Sequence, residues 1–251
     1  MDNEKKIVLW DIDDTLYDAS AFKKLSRENS INAMHKALKK QGFAYDFDFL
    51  YNLFLEMYQK DKNSTHMFND MLEKLVPLEH VPLYVAIAVN AYHGTKSHMR
   101  TRDGVDDALF KLSEMGFDMG IASSGFSTKQ YDKVIRLGLM NYFPIQLIFI
   151  TESVNPKELP FNKDVFFYAK IKNILENMGY KRIIMVGDKF EADIQPACGV
   201  GLEAILVNSP NINGNNNEII QKMTQETSAI YADHIAQIPD LIEKNDKKKY
   251  Q

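Results

Sequence analysis

The segment Asp11-Ile12-Asp13-Asp14-Thr15 sets three carboxylates and a hydroxyl within five residues. On an extended backbone Asp11 and Asp13, two residues apart, project to the same side. Carboxylates that close repel each other unless a cation or a proton lies between them. A hard divalent cation such as Mg2+ is a natural neutraliser, because it prefers oxygen ligands. The same residues also suit an acidic loop or a helix cap. Local composition does not separate these readings, so the elements that position the acids have to.

Ile7 to Trp10, four apolar residues entered from Lys5-Lys6, read as a buried strand that ends where the acids begin. In open parallel α/β sheets the C-terminal strand edge is where ligands bind. From Asp103 onward strands and helices alternate. Phe117 to Ala122, Gln146 to Ile150, Ile183 to Val186 and Ala204 to Val207 read as strands, with Ala232 to Ile235 as a last edge strand. The pattern predicts an α/β core, a Rossmann-like parallel sheet flanked by helices. Helices are expected at 105–116, from Lys129 to Gly138, after an Asn162 N-cap through Met178, and at the C-terminus around Leu241 and Ile242. The stretch from Asn211 to Asn217 reads as a loop.

Polar groups then recur at the strand ends. Ser123-Ser124-Gly125 follows the second strand, and Lys157 lies in the loop after the third. Gly187-Asp188 follows the fourth, with Asp193 five residues beyond Asp188. In a parallel sheet these ends share one edge. Acids, a hydroxyl and a lysine meeting there are what a metal-assisted phosphoryl-transfer site needs. Ser123 equally suits a helix cap, and Asp193 an exposed helix acid.

Between the first and second strands the chain is helical in pattern. Helical spacing runs through Ala21, Phe22, Leu25, Ile31, Met34 and Leu38, then Phe49 to Tyr58, Met67 to Leu75 and Val81 to Tyr92. Residues 18–98 are expected to form an inserted helical domain with its own apolar centre, and 1–17 with 99–251 the α/β core. Hydrophobic residues make up 45% and charged residues 25% of the 251, a globular mix. The formal net charge of -4 argues against a nucleic-acid binder. The single cysteine, Cys198, excludes an intrachain disulfide and fits a reducing compartment. No apolar run reaches membrane-spanning length and no signal peptide is evident, so a cytoplasmic protein is expected.

Asp11-Ile12-Asp13-Asp14-Thr15, Ser123-Ser124-Gly125, a lysine and Gly187-Asp188 with Asp193, in this order, resemble the haloacid dehalogenase-like hydrolase superfamily. The resemblance covers roughly residues 5 to 243, and the helical insertion looks like the family's type 1 cap. It implies that Asp11 is the nucleophile and becomes an aspartyl-phosphate. It implies that Asp13 protonates the leaving oxygen and then activates water. Ser123, with Ser124 beside it, would bind the phosphoryl group, and Lys157 would balance charge on Asp11 and phosphate. Mg2+ would be held by Asp11, Asp188 and the backbone carbonyl of Asp13, with Asp193 in support. The family's lysine usually precedes a proline; here Glu158 follows Lys157, and Lys163 is the rival. Lys157 is preferred for its distance from the third strand, and because Lys163 would fall in the next helix's first turn, where lysines are commonly solvated.

A phosphate dianion about 4 Å from a carboxylate meets roughly 8 kcal/mol of repulsion at an effective dielectric near 20. A divalent cation and a lysine offset that term. Asp13 favours phosphate ester hydrolysis over dehalogenation, which needs no acid for an alkoxide. The expected activity is therefore a Mg2+-dependent phosphatase of a small soluble phosphomonoester, nucleotidase-like or phosphoglycolate/sugar phosphatase-like. A phosphomutase, or a non-catalytic binding protein on the same scaffold, are the alternatives. The expected partner is the small-molecule substrate, with no nucleic acid and no membrane, in a monomer or homodimer. For His66, His93, His98, Arg100 and Arg102 a surface or structural role is the commoner expectation; of these candidates to face a cleft, Arg100 and Arg102 stand foremost.

Overall fold

A computed structural model of the chain describes residues 4–61, 64, 66–156, 162–209 and 216–249. It divides into two compact units, one of residues 1–19 with 100–251 and the other of residues 20–99.

The first unit is built on a six-stranded, all-parallel sheet of order β3-β2-β1-β4-β5-β6. The strands are β1 (Lys5–Trp10), β2 (Phe117–Ser123), β3 (Ile148–Ile150), β4 (Tyr180–Gly187), β5 (Glu203–Val207) and β6 (Ile230–Ala232). Ile7, Val8, Leu9 and Trp10 are each fully buried, as a strand flanked on both sides and covered on both faces requires. Burying each stabilises the fold by about 1.5–3 kcal/mol. Because β1 pairs with β2 on one side and β4 on the other, the direction of winding reverses at its end. That switch point is where open α/β sheets form their crevice.

In chain order the helices are α1 (Ala19–Lys40), α2 (Phe47–Lys60), α3 (Met67–Leu72), α4 (Val81–Thr95), α5 (Val105–Glu114), α6 (Ser127–Arg136), α7 (Thr151–Val154), α8 (Val165–Asn177), α9 (Gln195–Gly199), α10 (Asn216–Glu226) and α11 (Ile238–Lys249). One sheet face packs Ile7 and Leu9 against Phe167, Tyr168, Ile171 and Leu175 of α8 and Ala197 of α9. Val8 and Trp10 point to the other face by strand alternation. The second unit has its own apolar centre, in which Ile31, Met34 and Leu38 of α1 meet Leu50, Phe54, Met71, Leu72, Tyr84 and Ala88.

Several local expectations are corrected. Gln146 and Leu147 belong to a 3-10 turn after Pro144, so β3 starts only at Ile148. β4 begins at Tyr180, whose hydroxyl donates to Asp118 at 2.6 Å and fastens that end to β2. The last strand ends at Ala232; Ile235 lies in a 3-10 turn capped by His234. Asn162 is not the cap of α8: the Asp164 carboxylate accepts the Phe167 N–H at 2.8 Å. The loop expected from Asn211 to Asn217 falls outside the described residues up to 215, and residues 216 and 217 open α10. That helix is polar enough to hide in the sequence, since among its described side chains only Met223 is buried.

Candidate active site

Asp11 is the first residue beyond β1, and its backbone N–H continues the ladder by donating to the Val186 carbonyl at 2.9 Å. The chain then turns tightly. Leu16 N–H returns to the Ile12 carbonyl at 3.0 Å, and Asp14 takes the left-handed conformation at φ 64. A non-glycine residue there is uncommon and marks a held conformation. Arg102 holds it: one guanidinium nitrogen donates to the Asp14 carbonyl at 2.6 Å and another to the Asn208 carbonyl at 2.8 Å. Arg102 is thus tied to backbone carbonyls after β1 and β5, a structural task, which is the commoner expectation for it.

Asp11, Asp188 and Asp193 converge, with one carboxylate oxygen of each lying within 4.8 Å of the others. All three are buried. Asp188 follows β4 directly, and its Oδ1 accepts the Thr15 hydroxyl at 3.4 Å. Asp193 folds back under β4, where its Oδ2 accepts the Lys189 backbone N–H at 3.0 Å. Gly187 permits this approach: a Cβ there would lie 2.4 Å from Asp193 Cγ. Asp193, open in the sequence to being a surface acid, is 0% exposed.

Lys163 closes the cluster. It is buried and forms ion pairs with both Asp11 and Asp193. The expectation that Lys163 would be solvated in a helix's first turn is overturned. It lies ahead of the Asp164 cap, outside α8, and the extended backbone there carries it inward. Lys157, the residue preferred from the sequence, falls outside the described residues.

Burial pushes the Asp11 carboxyl up to about 7; Lys163 opposes the rise, and Asp193 and Asp188 add to it. Burial likewise pushes Asp188 up to about 6, with Lys189 opposing and Asp193 and Asp14 adding. Burial alone would lower Lys163, yet Asp11 and Asp193 hold it well above its ordinary value. Fully ionised, three buried carboxylates facing one buried ammonium would carry two excess negative charges. The cluster offers only carboxylate oxygens, one from each of Asp11, Asp188 and Asp193, and Lys163 is the ammonium paired with Asp11 and Asp193. That set fits a hard divalent cation.

The neighbouring strand brings the other groups. Ser123 ends β2 and is buried, and the Gly125 N–H donates to Thr151 Oγ1 at 2.9 Å, bracing the turn that contains Ser124. Asp13 is not in the carboxylate cluster. Its Oδ1 accepts from Lys133 Nζ at 2.6 Å. Lys133 was missed in the sequence, because a lysine on an amphipathic helix reads as solvated. In the helical unit His66, His93 and His98 are exposed, as is Arg100 in the first unit.

The family model for haloacid dehalogenase-like hydrolases matches residues 5–201. A glyceraldehyde 3-phosphate phosphatase of Methanothermobacter thermautotrophicus is 36% identical over 208 residues, covering 81% of this chain and 86% of that protein. One from Pyrococcus furiosus is 32% identical, covering 80% of this chain and 79% of its own. In fold, a haloacid dehalogenase-like hydrolase from Xanthomonas campestris superposes with a TM-score of 0.62 at 17% identity, over 100% of this chain and 97% of its own. The motif order, the parallel sheet that gathers it and a family match over most of the sequence agree: the chain belongs to the haloacid dehalogenase-like hydrolases.

Proposed function

We propose that this enzyme is a Mg2+-dependent phosphatase of a small phosphorylated sugar or nucleotide, acting through an aspartyl-phosphate on Asp11. The observation that carries the reading is the buried Asp11–Lys163–Asp193 cluster with Asp188 beside it, at the switch point of the sheet. Lys163 takes the charge-balancing role given to Lys157 in the sequence reading. Its ammonium keeps Asp11 ionised in part and oriented, and it offsets the charge of an arriving phosphate. Ser123 and Ser124 offer hydroxyls to phosphoryl oxygens. Asp13, half-exposed beside the cluster, donates a proton to the leaving oxygen and then takes one from the attacking water.

Asp11, Asp188 and the Asp13 backbone carbonyl would hold Mg2+, with Asp193 in support; when bound, the ion supplies charge neutralisation between the phosphate and Asp11. Residues 18–98 would serve as the cap that selects substrate. The names of the relatives, glyceraldehyde 3-phosphate phosphatases at 36% and 32% identity, favour a triose phosphate or similar sugar phosphate. None of the described helices is long and apolar enough to cross a membrane, which is compatible with a small soluble substrate met in the cytoplasm.

The test is release of phosphate from a panel of triose phosphates, other sugar phosphates and nucleoside monophosphates, with and without Mg2+, with Asp11→Asn beside the wild type. Metal-dependent turnover that disappears in Asp11→Asn is expected. A folded wild-type protein that hydrolyses no member of the panel would overturn the reading.

A further inference from the structure

The described residues contain a second charged chain next to the proposed nucleophile, and its members come from elsewhere in the sequence. Lys133, on α6, has its Nζ 2.6 Å from Asp13 Oδ1 and 3.1 Å from Gln130 Oε1. The Gln130 amide nitrogen in turn donates to the Ser124 carbonyl at 2.7 Å. Gln130 is 5% exposed, and each end of its amide has a partner of matching polarity, which defines its orientation. Lys133 Nζ also stands 5.9 Å from the centroid of the Tyr17 ring, on the turn that presents Asp13. Gln130 and Lys133 are three apart, so they share one face of α6.

We infer that Lys133 is a positioning residue for the acid–base step, acting through Asp13. A carboxyl group has two oxygens, and only one of them can carry the proton given to a leaving alkoxide. With Lys133 Nζ donating to Oδ1, that oxygen is engaged as an acceptor, which distinguishes the two oxygens of the carboxyl group. The ammonium fixes the rotation of the carboxyl group and so its aim. Through Gln130, the same contact ties the acid to the Ser123-Ser124 turn, which binds the phosphoryl oxygens in the proposed reaction. Leaving-group protonation and phosphoryl binding are thereby held in one frame across the β1–β2 boundary, in the way that supported catalytic groups are kept within reach of reacting atoms. The inference rests on the phosphatase reading above.

The experiment compares first-turnover phosphoryl transfer from an alkyl phosphate, glycerol 3-phosphate, with that from 2,4-dinitrophenyl phosphate, whose leaving group departs without a proton. The proteins are wild type, Asp13→Asn, Lys133→Met and Lys133→Arg, each with Mg2+, with thermal unfolding recorded for all. Loss of a general acid costs about 100- to 10,000-fold on a poor leaving group. Lys133→Met is expected to slow the alkyl phosphate by about tenfold or more at saturating substrate. It should leave the apparent substrate affinity within about threefold and the dinitrophenolate burst nearly unchanged. Lys133→Arg, which retains a donor, is expected to recover part of the loss. Equal slowing on both substrates, or a change confined to substrate affinity, would overturn the inference and mark Lys133 as a phosphate contact or a structural residue. If wild type turns over but Asp13→Asn shows no leaving-group dependence, Asp13 is not the acid and the role of Lys133 falls with it. If wild type transfers phosphate from neither substrate, the phosphatase reading itself fails.

Discussion

Two lysine–aspartate pairs flank the end of β1, and they differ chiefly in their access to water. Lys163 and Asp11 have side chains 4% and 5% exposed, and Lys133 and Asp13 have 19% and 26%. Burial makes the first pair costly to break, because a lone charge left in a dry site has no substitute for its partner. The second pair keeps contact with solvent, so its partners can be rehydrated and its direct contribution to stability is small. The chemistry proposed for each follows the same division. The nucleophile has to stay fixed and unsolvated until phosphate arrives, whereas the acid has to exchange a proton with a leaving group and then with water.

The largest expected effect is on the buried side. Asp11→Asn should lower phosphate release by about 10,000-fold or more while leaving the protein folded, as read by circular dichroism. Lys163→Met should be the most destabilising single change at the site. It leaves Asp11 and Asp193 facing each other without the ammonium, at a cost of about 3–5 kcal/mol in the metal-free protein, measured by urea unfolding. The same protein should regain part of that loss in Mg2+. Stability equal to wild type would show that the dry pair is no more costly to break than the wet one.

A smaller effect is expected from Gly187→Ala. The added methyl would lie 2.4 Å from Asp193 Cγ, so Asp193 must move away from the cluster. About 1–3 kcal/mol of destabilisation is expected, together with weaker Mg2+ dependence of turnover. On the solvated side, Lys133→Met should change the unfolding free energy by less than about 1 kcal/mol even where it slows the acid-dependent step. A stability loss matching that of Lys163→Met would erase the distinction between the pairs.

The least dramatic test is pH. Asp11 is raised to about 7 and Asp188 to about 6, from an unfolded value near 3.8 for each. Both groups bind a proton more tightly in the folded protein. Their contribution to stability is therefore complete below about pH 4 and declines as pH rises through 6 and 7. In metal-free protein the unfolding temperature should fall between pH 5 and pH 7.5 on this account. Mg2+ competes with those protons, so the rise in unfolding temperature on adding it should be larger at pH 7.5 than at pH 5, as measured by calorimetry.

Much of the frame was legible because it depends on short-range pattern. The unbroken apolar run of β1 requires a strand covered on both faces, and the alternation after residue 103 requires a parallel sheet. Acids that directly follow strands, Asp11 and Asp188, are therefore bound to share an edge. Groups that are not strand-terminal carry no such signal. Lys163 sits ahead of a helix and looks like any solvated lysine, and only the Asp164 cap, which starts α8 two residues later, directs it into the core. Lys133 has the ordinary helical spacing of a surface residue, and 120 residues separate it from Asp13. Arg102 is a cleft candidate in the sequence through its place near the return from the helical insertion to the core; its partners are backbone carbonyls, which sequence does not reveal.

The sequence by itself determined the strands, the identity of the nucleophile candidate and the order in which its partners arrive, since periodicity and strand-end chemistry are local properties. The tertiary structure decided which lysine meets Asp11 and which meets Asp13. It also decided that Asp193 is buried beneath Gly187 rather than exposed. Those outcomes depend on burial and on distances between segments remote in the chain, and charge pairing in a dry site is set by that geometry rather than by spacing along the backbone.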